Sequence, residues 1–424
     1  MPGGPIVVFD KSALQSFSLD EAVLFDNFYL PVITPLFFME TLADLEKKVR
    51  EGQTPEQAVG IIAAKTPIMS GVPNVHHLRL VQHELLGHQV KLDQRPLVGQ
   101  GRRVTTGDRR GIMIKELPEM DAFQRWQEGS FLEIERQYAR QWRAELARWD
   151  PTRGKEFRAV VGAEARVKNL SQAKELADRH VHGSGQRHAV LKAVFEIFAV
   201  PEPAQREIVR RWKLVGGPSL AEFAPYTSHV VRVEFFLQLA VQSSLISSER
   251  ASNTVDMAYL FYLPFCMAFI SDDGLHMRTV PLFLNDQQTF ILGDALKADL
   301  ARLSQYYSAL SPEVLEKGIY SFAPYPPIDD SFLTTRLWDR FMHPEWRKRM
   351  SRGAERSPES DAKLLAELQR MDAAQEDQSG EPVSTDSAHF LSITRRIPVR
   401  RGKWRIISRE AEDQGLSTTA NEGT

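Results

Sequence analysis

The chain has 424 residues, 42% hydrophobic and 25% charged, which reads as globular and exceeds one average domain of roughly 100–200 residues, so a core with a large insertion or second module is expected. Lys+Arg 53 against Asp+Glu 55 leaves a net charge of −2, which excludes a protein that coats nucleic acid through bulk charge. The single cysteine, Cys266, excludes an internal disulfide and a cysteine-based zinc site, and points to a reducing compartment.

The opening "MPGGPIVVFDKSALQ" lacks the basic and long apolar regions of a signal peptide, and no run of about 18 apolar residues occurs. A cytoplasmic protein with no membrane contact is the expectation. Ile6 to Phe9 is a short β-branched run, predicted as a buried parallel strand ending at Asp10. Ser18 with Glu21 three residues on forms a capping-box pattern for a helix running to about Tyr29. Val32 to Thr34 reads as a second strand, and "LFFMETLADLEKKVR" as a helix with Leu36, Met39, Leu42 and Leu45 on overlapping faces. This β-α-β-α order opens an α/β sheet.

From 54 to 248 the pattern predicts helix after helix, an all-α insertion. Its amphipathic stretch places Phe131, Ile134, Tyr138, Trp142 and Leu146 at three- and four-residue steps, and "PLVGQGRRVTTGDRRG" reads as a loop. The α/β signature then returns: a helix from Thr254, a strand "MAFIS" running into Asp272 and Asp273, a strand "TFIL" and a closing helix. Residues 1–53 and 249–346 are therefore expected to be two halves of one sheet domain, since neither has enough strands alone. Residues 347–424 read as a largely disordered tail, with a basic segment at 394–409 around Trp404 that suits single-stranded nucleic acid or a docking partner.

Asp10, Asp272 and Asp273 are predicted at the carboxyl ends of parallel strands, where an open α/β sheet keeps its ligand crevice. Glu40 stands on the helix after the second strand, and Asp256 opens the helix before the third. Carboxylates gathered in a small space repel unless cations neutralise them, and Mg²⁺ or Mn²⁺ with oxygen ligands is the natural resolution. Without metal, replacing one acid by its amide should then preserve or raise stability. A strand-end Asp equally serves as a helix cap. Asp44 reads as a solvated partner of Lys47 or Lys48.

These residues resemble the PIN-domain nucleases. "VVFDKSAL" is similar to that family's first strand and acid, "FFMETLADL" to its second acid, and "NTVDMAYLFYLPFCMAFISDDGLH" to its third acid, next strand and following acid. The resemblance covers about 5–50 and 254–310. It implies a PIN-like parallel sheet flanked by helices, with Asp10, Glu40, Asp256 and one of Asp272 or Asp273 as catalytic metal-binding acids. The activity implied is Mg²⁺- or Mn²⁺-dependent endonucleolytic hydrolysis of phosphodiesters, usually in RNA. The alternative is a non-catalytic PIN-like scaffold whose helical insertion docks protein partners.

Weaker patterns compete. Glu84 follows His83 as in zinc proteases, but Gly87 stands where the second ligand belongs. His88 comes roughly 500° round the helix instead of about 400°, so packed or solvated helix histidines are the preferred reading. Arg102, Arg103, Arg109 and Arg110 suit phosphate contact or simple solvation equally.

Overall fold

Chain geometry at the N-terminus follows from short apolar runs punctuated by caps. The computed structural model describes residues 4–47, 52–99, 102–106, 109–114, 118–148, 159–160, 166–183, 185–351, 383–384, 390–393 and 397–413. Ile6–Phe9 forms β1, and Asp10 caps the short helix α1 (Lys11–Ser16) by accepting from the Ala13 N–H. Ser18 and Glu21 make the expected capping box at the start of α2 (Leu19–Phe28). Strand β2 (Leu30–Ile33) leads into α3 (Pro35–Leu42), where Thr34 caps and Pro35 takes a first-turn position that needs no N–H.

The sheet has five strands, all parallel, in the order β3-β2-β1-β4-β5, where β3 is Val72–Pro73, β4 Ala268–Ser271 and β5 Thr289–Leu292. Register runs Val8 against Val32 on one side of β1 and Val8 against Phe269 on the other. Strands β1 and β4 are buried along nearly their whole length, as a sheet covered on both faces requires.

Strand β3 corrects the expectation of an all-α insertion at 54–248. Two residues are too short a run to read as a strand, and Pro73 is tolerated because β3 lies at the sheet edge. Leu97–Val98 is also extended, and Arg102–Thr106 pairs antiparallel with Arg109–Ile114 where a loop was expected. The remainder of that stretch is helical as anticipated. It includes α4 (Pro55–Lys65), α5 (His77–Leu85), α6 (Pro118–Gln127), α7 (Glu133–Arg148), α8 (Leu170–His182) and the largely buried α9 (Pro225–Gln242). One apolar cluster includes Val8 of β1, Val59 of α4, Phe236 of α9, Phe269 of β4 and Trp404 near the C-terminus.

The tail expectation is corrected for 397–413. Trp404 is 2% exposed and its indole donates to the Asp20 carbonyl. Arg401 is buried against Asp26 at 3.3 Å and donates to the Ala64 and Thr66 carbonyls. A run of basic residues reads as solvated, yet the acid that Arg401 pairs with lies 375 positions away in sequence. Residues 352–382 and 414–424 lie outside the described residues. Among the described residues no helix is long and apolar enough to cross a membrane.

Candidate functional site at the carboxyl edge of the sheet

The chain leaves β1 for β2 and β3 on one side, and adds β4 and β5 on the other. The carboxyl ends of the neighbouring β1 and β4 therefore mark the topological switch point, where this kind of sheet opens a crevice. Asp10 follows β1 directly, and Ser271, Asp272 and Asp273 end β4. Helix α3 brings Glu40 and helix α10 (Ser252–Tyr259) brings Asp256 towards the same edge.

Asp10 is 4% exposed and its oxygens are heavily engaged. It accepts from the Ala13 N–H at 2.9 Å, the Ser12 hydroxyl at 2.7 Å and the Ser271 hydroxyl at 2.7 Å, with the His276 Nδ1 at 3.3 Å. His276, on α11 (Gly274–Thr279), is fully buried, and both ring nitrogens face oxygen: Nδ1 the Ser271 Oγ at 2.8 Å, Nε2 the Asp256 carbonyl at 2.7 Å. Because the Ser271 hydroxyl donates to Asp10, it accepts from His276 and from the Asp273 N–H, which uses its full hydrogen-bonding capacity. Both nitrogens of the imidazole then carry hydrogen. Burial pushes Asp10 up, but the His276 hydrogen bond and charge, with Ser271 and Ala13, carry it below the ordinary carboxylate value. Burial pushes His276 down, and Asp10 more than offsets it, so the pair is an imidazolium and a carboxylate.

A second cation sits nearby. The Lys11 ammonium, 7% exposed, lies 3.1 Å from Glu40 Oε1 and 3.0 Å from Asp44 Oδ2, and also donates to the Glu40 carbonyl. The Tyr259 hydroxyl donates to Glu40 Oε2 at 2.9 Å. Asp44 is 6% exposed, which corrects its reading as a solvated residue. Lys11 is its close partner, with Arg143 at 3.5 Å and Lys47 at 3.8 Å.

Asp256 differs from its neighbours. Its carboxyl has no hydrogen-bond partner among the described residues, and burial together with the charges of Asp273, Glu40 and Asp10 pushes it up to about 7 against the opposing pull of His276. Asp272 accepts from the Asp294 N–H at 2.7 Å, at the start of α12 (Gly293–Ser308). It comes so close that a Cβ on Gly293 would lie 2.3 Å from its Oδ2, so any side chain there would push the Asp272 carboxylate aside. Asp273 caps α11 by accepting from the Leu275 N–H at 2.6 Å and the His276 N–H.

The five sequence-predicted acids thus share one edge, but among the described residues no three metal-ligating groups stand together as a preformed metal site. The carboxylates at this edge differ in engagement: Asp256 is unpaired among the described residues, while Glu40 already accepts from the Lys11 ammonium. The inference that metals must neutralise the cluster is corrected in part. Lys11 and His276 are internal cations, and sequence reasoning missed both although they stand beside the acids, as the "K" of "FDKSAL" and the "H" of "DDGLH". No proton or charge partner across the fold can be read from either motif alone.

The competing patterns resolve structurally. Glu84 is buried and caps α9 by accepting from the Tyr226 and Thr227 N–H groups at 2.9 and 2.7 Å. His77 lies beside the Tyr262 hydroxyl. In the basic segment Arg400 pairs with Glu316, Arg401 with Asp26, and Arg405 with Glu412, so these cations are committed within the protein. Arg395 and Arg396 lie outside the described residues, as do the side chains of Arg102, Arg103, Arg109 and Arg110. Compared with known proteins, the chain matches no family model, no curated protein and no solved structure.

Proposed function

We propose that the carboxyl edge is the active site of a divalent-metal-dependent nuclease of PIN-like type, acting on RNA. The observation that carries this reading is Asp256. It is a half-buried carboxyl at the sheet's switch point, raised to about 7 by burial and by three other acids from three other elements, an arrangement that stores electrostatic stress and serves no cap. Glu40, Asp256 and Asp272 or Asp273 would hold Mg²⁺ or Mn²⁺. When bound, the ion supplies an activated water and stabilises the leaving oxygen of the phosphodiester.

The protein's own groups divide the remaining work. Tyr259 fixes the rotamer of Glu40 through its hydroxyl. The Asp10–Ser271–His276 chain locks the ends of β1 and β4 together, and His276 anchors α10 through the Asp256 carbonyl. This holds Asp256 in place while leaving its carboxyl open. Asp256 binds or releases a proton near neutral pH, so it is also suited to proton transfer.

The test is cleavage of short single-stranded RNA and DNA by the full chain with Mg²⁺ or Mn²⁺, against Glu40→Gln and Asp256→Asn. Each substitution should lower the rate by at least ~100-fold, the range for losing a group that acts directly in the chemistry. Unchanged cleavage in both variants refutes this site. The scaffold reading is favoured by two specific features, the saturation of Asp10 and the pairing of Lys11 with Glu40 and Asp44. It predicts no cleavage with any divalent ion.

A further inference from the structure

A cavity of about 240 Å³ opens at the carboxyl ends of β2 and β3, and none of the five acids of the neighbouring cluster lines it. Pro35, Pro73 and Val98 give it apolar walls, while His76, Arg79 and Glu119 give it charge and hydrogen-bonding groups. Asn74, which also lines it, is engaged by the fold. Its side chain accepts from the Leu97 N–H at 2.8 Å and donates to the Val75 carbonyl at 3.0 Å. Together with the bond from the Val75 N–H to the Leu97 carbonyl at 2.8 Å, this fixes two sides of the cavity against each other.

His76 is held at two points: its Nδ1 accepts from the Leu78 N–H at 3.2 Å, and its ring stacks on His77 with centroids 4.3 Å apart. Burial pushes its pKa down, so at neutral pH the imidazole is uncharged and its hydrogen stands on Nε2 as a donor. Glu119, in the first turn of α6, is half-buried and carries no hydrogen bond or ion pair among the described residues. Arg79 has the opposite charge and lines the same cavity, yet the two do not pair with each other. An acceptor, a donor and a cation thus border a space below the ~300–1,000 Å³ of a drug-sized site, which suits one flat ring system between apolar walls.

We propose that this cavity binds a guanine base. Guanine offers two adjacent donors, N1–H and N2–H, to one carboxylate, here Glu119, while its O6 and N7 accept from Arg79 and His76. Adenine and cytosine turn a ring-nitrogen lone pair towards the carboxylate, and uracil has a single N–H, so each leaves part of the site unmatched. The inference needs no divalent ion and no cleavage, and goes beyond the reaction proposed for the acidic edge. A free guanine nucleotide and a guanine carried by an RNA strand present the same chemistry.

The experiment measures binding to the full chain in EDTA by calorimetry, using GMP, AMP, inosine monophosphate and short oligouridine strands that hold one internal G or A. Guanine should bind at least ~10-fold more tightly than adenine, with inosine, which lacks the N2 amine, weaker than guanine. Binding of GMP identifies a free nucleotide as the occupant, and binding of the G strand alone identifies RNA. Glu119→Gln should abolish the preference for guanine over inosine while leaving the melting temperature nearly unchanged. Should that variant fail to fold, Arg79→Met serves in its place, with guanine binding expected to weaken at least ~10-fold. Equal affinity for guanine and adenine, or no binding of either, overturns the proposal. A guanine preference that survives both substitutions overturns its assignment to this cavity. Either failure leaves the cleavage test at Glu40 and Asp256 untouched.

Discussion

Asp26 and Asp256 are both carboxylates drawn away from water, and the protein treats them in opposite ways. Asp26, on α2, is fully buried and accepts from the Ile68, Met69 and Ser70 N–H groups at 2.7, 2.8 and 2.8 Å, with Arg401 closing the set at 3.3 Å. Both of its oxygens are engaged, and segments distant in sequence are tied together. Among the described residues Asp256 is given no donor, and it feels the charge of three other acids. A carboxylate whose capacity is fully used is holding the fold. One left unsatisfied beside like charges contributes no hydrogen bond to the fold, and that is what motivates the proposed site at Asp256.

The contrast can be broken most severely at Asp26. Asp26→Ala leaves Arg401 buried without its partner and strips three backbone N–H groups of their acceptor, so urea unfolding should show a loss of about 5 kcal/mol, the upper range for a broken buried pair. A loss under about 1 kcal/mol would mean that water replaces the carboxylate and that burial here is looser than the hydrogen bonds imply.

Asp256→Asn should move stability in the other direction. A carboxyl held near 7 in the folded chain and near 3.8 when unfolded makes the folded state retain a proton that the unfolded state has lost. Stability then declines as pH rises from about 4 to about 7 and the full cost remains above that. The amide removes the cost, by at most about 4 kcal/mol, since each tenfold change in proton affinity is worth about 1.36 kcal/mol. Melting temperatures should therefore nearly coincide at about pH 4 and diverge in favour of the variant at about pH 8, and a pH-independent difference would show that Asp256 is not raised.

Asp10→Asn sharpens the comparison within the site itself. The expectation that removing any acid relieves repulsion applies to Asp256 and reverses for Asp10, which has the buried His276 imidazolium as its partner. The raised value of His276 contributes stability below 6.5 that is lost as pH rises through its folded value. The lowered value of Asp10 contributes stability above 3.8 that is lost as pH falls through its folded value. Both contributions are in place between those limits, so Asp10→Asn should cost about 3 kcal/mol near about pH 5.5 and less at about pH 9. A constant cost across that range would assign Asp10 to helix capping alone.

How much of this was legible in the chain depends on the range of the interaction. Strands β1, β2, β4 and β5 were readable because each is a local apolar run, and the capping box at Ser18 and Glu21 because its two partners are three residues apart. The acids at strand ends were readable for the same reason, and a parallel sheet has only one carboxyl edge on which to place them. Strand β3 was not, since its two residues are extended only because β2 offers an edge.

What the sequence determined by itself was the set of elements and the kind of side chain that each presents at its end. Tertiary structure alone decided the state of those side chains. Lys11 could have been solvent-exposed and is instead buried against Glu40 and Asp44, His276 became the counter-ion of Asp10, and Arg401 was drawn out of a basic run to satisfy Asp26. The physical reason is that charge and burial are set by neighbours in space. Periodicity and caps act over three or four residues, whereas the Coulomb and desolvation energies that fix a buried charge depend on groups brought together only when the sheet closes.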